Sequence, residues 1–79
     1  MAIRYKVFSK TAPERNFVSF VDCGAEGMSG ERVQTGLSSL RAAVAAVASQ
    51  LQPENIISIY ETWPGVNQQK EIVLWYREG

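Results

Sequence analysis

The closing stretch "KEIVLWYREG", residues 70–79, constrains the fold of this chain more than any other. Successive side chains of an extended strand point to opposite faces. Here Ile72, Leu74 and Tyr76 fall on one face and Val73, Trp75 and Arg77 on the other, so both faces carry large apolar groups. A strand of that kind calls for cover on both sides. Only one stretch of the sequence has a helical period to supply it. In "LSSLRAAVAAVASQLQPEN", Leu37, Leu40, Val44, Val47 and Leu51 fall within an arc of about 80° when each residue advances about 100° around a helix. Ser38 or Thr35 is placed to cap its start, and Pro53 ends it, because the residue before a proline is disfavoured in a helix. One helix covers one face of a sheet, which leaves the other face in search of a partner.

The rest of the chain supplies the sheet. Residues 3–9 alternate Ile3, Tyr5 and Val7 against Arg4, Lys6 and Phe8, the pattern of a half-buried strand. Residues 16–23, "NFVSFVDC", and 55–63, "NIISIYETW", are rich in β-branched and aromatic residues and predict two further strands. "KTAPER" and "PGVNQ" read as turns, each carrying a proline. "GAEGMSGERVQTG", residues 24–36, holds four glycines and no hydrophobic period, and reads as the longest loop. The predicted order is strand, strand, helix, strand, strand. That is an α+β fold of ββαββ type, a four-stranded antiparallel or mixed sheet with one helix on one face, in a single domain spanning 1–79.

In the simplest arrangement the helix covers Ile3, Tyr5, Val7, Ile57 and Ile59, with Leu40, Val44, Val47 and Leu51 making the core stripe. Alternation then sends Arg4, Lys6, Phe8, Ser58, Tyr60 and Thr62 to the open face, joined either by Val73, Trp75 and Arg77 or by Ile72, Leu74 and Tyr76. The helix adds a second unpartnered surface. Opposite its apolar stripe lie Ser38, Ala42, Ala45, Ala46 and Ser49, small and neutral where a solvated helix usually carries several charges.

Composition narrows the chemistry. The chain has no histidine, which removes the commonest general base and the commonest ligand of transition metals. Its single cysteine, Cys23, cannot form an internal disulfide and reads as a small buried apolar residue. The glycine-rich segment lacks the Lys-Ser/Thr ending of a phosphate loop, and Asp22, Glu26 and Glu31 match no calcium loop. No catalytic, cofactor or metal residues are therefore expected. No run reaches the roughly 20 apolar residues that span a bilayer, and the first residues read as strand instead of a signal segment, so no membrane and a cytoplasmic location are expected. Eight basic and eight acidic side chains balance, giving no long-range attraction for nucleic acid. The expected function is a non-catalytic interaction module that self-associates or binds another protein. Its interface is built from Tyr60, Trp75, Val73, Arg77, Arg4, Lys6 and Phe8 on the open sheet face, or from the small-residue helix face. The alternative is a single-stranded nucleic-acid-binding domain, in which Arg4, Lys6 and Arg77 meet phosphates while Tyr60 and Trp75 stack on bases.

Overall fold

The computed structural model describes residues 2–10, 16–24, 29–63 and 70–78. The turns expected in "KTAPER" and "PGVNQ" lie outside those residues, apart from Lys10. Five strands, β1 (Ala2–Ser9), β2 (Ser19–Gly24), β3 (Ser29–Gln34), β4 (Ile56–Thr62) and β5 (Glu71–Glu78), form one sheet with the order β3-β2-β1-β5-β4. Every neighbouring pair is antiparallel. One helix, α1 (Leu40–Ala48), lies on one face. The α+β class, the single helix and both expected hairpins are present. The four-stranded ββαββ order is corrected to five strands with the helix between β3 and β4.

The extra strand lies within the segment read as the longest loop. Its backbone finds partners on the free edge of β2, where Val33 faces Phe20 and Arg32 faces Val21. The register shifts between Val21 and Cys23, a bulge at which the chains come unusually close. A Cβ on Gly30 would sit 2.9 Å from the backbone oxygen of Asp22, so the glycine marks a close approach and not a loop. Beyond β3 the chain stays tied to the start of β2. The Thr35 amide donates to the Val18 carbonyl at 3.0 Å, the Thr35 hydroxyl donates to the same carbonyl at 2.7 Å, and the Val18 amide donates to the Leu37 carbonyl at 2.7 Å. Gly36 turns the chain between them with φ of 74°, a left-handed conformation that costs a side chain energy.

The helix is shorter than its apolar period. Ser39, rather than Ser38 or Thr35, is its N-cap, with extended φ and ψ of −95° and 127°, and its Oγ accepts from the Ala42 amide at 3.3 Å. At the other end the Gln50 and Leu51 amides donate to the carbonyls of Val47 and Ala48, three residues back, which tightens the last turn ahead of Pro53. Leu37 and Leu51 therefore flank the helix as its hydrophobic ends.

The core lies between α1 and the sheet: Phe8, Val18, Ala43, Val44, Ile72 and Leu74 are buried, and Phe20, Leu40, Val47, Leu51 and Ile56 pack around them. Two expectations are reversed here. The helix covers the Arg4, Lys6 and Phe8 side of β1, with Phe8 fully buried, and not Ile3, Tyr5 and Val7. Ile57 and Ile59 are exposed, at 45% and 47%, and Ile56 takes the expected place in the core. The cause in β4 is a register shift between Ile56 and Ser58, which turns Ile57 out of the ladder at the edge of the sheet.

Candidate interaction surface

The strand registers define the face without a helix. Cys23, Tyr5, Trp75 and Ser58 stand in one row across β2, β1, β5 and β4, and Val21, Val7, Val73 and Tyr60 stand in the next. Facing side chains of an antiparallel ladder sit close enough to contact one another. The Tyr5 and Trp75 rings stack with centroids 4.5 Å apart and planes 26° from parallel. The Trp75 indole N–H donates to the Tyr60 hydroxyl at 3.2 Å, which ties the two side chains together across β5 and β4. Ile3 and Tyr60 remain 46% and 48% exposed, Tyr5, Val7, Val21 and Trp75 are half-buried, and Val73 and Cys23 among them are buried at 8% each. The result is a continuous aromatic and aliphatic surface over the middle of the sheet. Charges border it on β5: Glu71 at one end and Arg77 at the other.

Of the residues expected at the interface, Tyr60, Trp75, Val73 and Arg77 are on this face together. Arg4, Lys6 and Phe8 are on the opposite one. Phe8 is core, and the two basic residues belong to a polar cluster on the part of the sheet that the nine-residue helix does not reach. Asp22 organises that cluster. Its carboxylate accepts from Lys6 Nζ at 2.7 Å, from the Tyr76 hydroxyl at 2.8 Å and from Arg4 Nε at 3.3 Å. Arg4 also pairs with Glu78 at 3.2 Å, and the Lys6 ammonium stands over the rings of Tyr76 and Phe20, 4.8 and 5.0 Å from their centroids. Burial pushes the Asp22 carboxyl up, but the hydrogen bonds from Lys6 and Tyr76 and the charges of Lys6 and Arg4 outweigh it and hold the group below its ordinary value. The charge of Asp22 raises Arg4 in turn.

Sequence reasoning missed Ile3, Tyr5 and Val7 as members of the open face, because three apolar residues of β1 outvoted Phe8 and two charges; in β2 the sequence leaves the inward pair open between Phe17/Val21 and Val18/Phe20, and the structure turns Val18 and Phe20 inward. In the hairpin register Lys6 faces Asp22, so the two charges neutralise each other and that side of β1 can turn inward.

On the other face the helix is narrower than the sheet and leaves grooves along both flanks. One of about 400 Å³ runs between α1 and β4, lined by Val44, Ala45, Ala48, Ile59 and Ile72. The other, of about 440 Å³, lies against β2 and β3 and includes Phe20, Val33, Leu37, Val47 and Leu51. The small-residue helix surface of Ala42, Ala45, Ala46 and Ser49 is exposed as expected. Among the described residues no group of three or more His, Cys, Asp or Glu is placed to hold a metal, and no helix is long and apolar enough to cross a membrane. Compared with protein-family models, with curated proteins and with solved structures, the chain matches none, and the geometry of the open face is left as the guide to function.

Proposed function

We propose that the protein is a small non-catalytic interaction module that self-associates through the open face of its sheet. The observation that carries this reading is the continuous surface formed by Ile3, Tyr5, Val7, Val73, Trp75 and Tyr60, with no helix over it. Tyr and Trp are enriched at the anchoring points of interfaces, where a rigid ring buries much area at little entropic cost. Fully burying each such side chain is worth about 1.5–3 kcal/mol, so a few of them from each copy can exceed the cost of association. A second copy suits the face because an aromatic row, Trp75 and Tyr5, lies beside a lower aliphatic row of half-buried Val7 and Val21 with Val73 buried between its neighbours, so the rings of one copy can lie over the lower row of the other. A 79-residue domain also gains more from added burial than a larger one does.

The non-catalytic part of the reading rests on the absence of histidine from the sequence and on the aromatic, weakly polar character of the surface. A cytoplasmic setting belongs to the same proposal, since the lone Cys23 has no partner within the chain and is buried in the fold. The nucleic-acid alternative keeps only Arg77 of its three basic residues on this face: Arg4 and Lys6 face away from Trp75 and Tyr60, engaged by Asp22.

Sedimentation of the parent chain and of Trp75→Glu tests the proposal. The parent is expected to sediment as a dimer at micromolar concentration, and the variant as a folded monomer with unchanged far-ultraviolet circular dichroism. Tyr60→Glu, on an exposed edge strand, provides a second variant with less risk to the fold. A parent that remains monomeric at high micromolar concentration overturns self-association.

A further inference from the structure

We infer that the second copy lies across the open face with its β5 antiparallel to the first, about a twofold axis perpendicular to the strands, and that Glu71 of each copy meets Arg77 of the other. The inference rests on the self-association proposed above and adds the orientation of the partner. Two aligned arrangements bring identical sheet faces together about a twofold axis lying between them. An axis along the strands stacks them parallel and keeps the same strand ends together. An axis across the strands reverses them and brings opposite ends together.

Charge and size both favour the crosswise axis. Glu71 and Arg77 stand on the open face at opposite ends of β5, six residues or about 20 Å apart, with Val73 and Trp75 between them. Among the described residues neither forms an ion pair within the chain. Reversing one copy about the level of Leu74 places each glutamate opposite an arginine and closes both ends of the interface with complementary charge. The same operation places Trp75 over Val73, Tyr5 over Val7 and Tyr60 over Ser58, so every large side chain meets a smaller one in the two rows. An axis along the strands between β1 and β5 instead puts Trp75 over Tyr5 and Arg77 over Ile3, and an axis above β5 puts Glu71 over Glu71. Face-packed sheets cross at about 30°, which shifts outlying strands most and leaves the strands near the axis, β1 and β5, closest to this register.

The test uses Glu71→Arg and Arg77→Glu, alone, combined in one chain and mixed as separate chains, with dimer dissociation constants measured by sedimentation and folding followed by thermal melting. Each single reversal creates two like-charge junctions per dimer and is expected to raise the dissociation constant about tenfold or more at low salt, with the penalty shrinking as salt is added. In the chain carrying both reversals, and in an equimolar mixture of the two singly reversed chains, every junction again joins a cation to an anion. Both are expected to return to within about threefold of the parent. The mixture is the sharper arm, because recovery there requires contact between different molecules. A parent that dimerises and is dissociated by Trp75→Glu, but whose reversals neither weaken it singly nor recover on mixing, overturns the crosswise orientation while leaving self-association standing. A monomeric parent overturns both.

Discussion

At the scale of single residues, Asp22 accepts hydrogen bonds from Lys6, Tyr76 and Arg4, and its chemistry makes a pH-dependent prediction. Its carboxyl is held below the ordinary value of about 3.9. A depressed acid contributes stability that is complete above its unfolded value and is lost as pH falls through its folded value. Thermal stability is therefore expected to fall below about pH 4 more steeply in the parent than in Asp22→Asn, and the difference between them to close in strong acid. At neutral pH the same substitution leaves the Lys6 ammonium, 12% exposed, without its anion, and is expected to cost about 1–3 kcal/mol in chemical denaturation. Gly36 supports a separate prediction. A methyl group there meets nothing within 4 Å, so Gly36→Ala is expected to cost about 1–2 kcal/mol from its φ of 74° alone.

At the scale of elements, the two faces of β1 make opposite predictions. Phe8 is fully buried beneath α1, and Phe8→Ala is expected to cost about 3–5 kcal/mol through lost burial and a residual cavity. Ile3→Ala, on the open face, is expected to change the stability of the dilute chain by about 0.5 kcal/mol or less. A larger penalty for Ile3→Ala than for Phe8→Ala in denaturant melts would mean that the helix covers the other side of the strand. The helix end offers a smaller effect: Ser39→Ala removes the acceptor for the Ala42 amide and is expected to cost about 1 kcal/mol. Strand β4 is an edge whose Ile57, Ile59 and Tyr60 are all close to half exposed, with Glu61 its only charge, held by Arg41 at 3.1 Å and Lys70 at 3.3 Å. Exposed apolar edges of this kind pair readily with other strands.

At the scale of the whole molecule, a nine-residue helix is set against a five-stranded sheet, and the mismatch organises everything outside the core. On the helix side the uncovered sheet is made polar by Asp22 and its partners, while both flanks of the helix stay grooved. On the far side no such polar cluster appears among the described residues, and the aromatic row of Tyr5 and Trp75 has no helix over it. If that face is buried between two copies, the melting temperature should rise with protein concentration in the parent and be independent of it in Trp75→Glu, because mass action stabilises only a folded state that associates.

The local pattern of the sequence was enough for the strand character of β1, β2, β4 and β5, the existence and apolar stripe of α1, and the α+β class. Each follows from period and propensity within a few residues. That Val73, Trp75 and Arg77, and not Ile72, Leu74 and Tyr76, share a face with Tyr60 was decided by the pairing of β4 with β5. What local pattern could not decide is which partner each segment meets. Ser29–Gln34 has the composition of a loop and becomes a strand because the edge of β2 supplies its hydrogen bonds and Gly30 permits the close approach. The inward face of β1 is chosen by the pairing of Lys6 with Asp22, 16 residues away, and by the room the helix leaves for Phe8. Alternation says only that two faces differ; which of them is buried depends on long-range pairing, and that exists only once the sheet has formed.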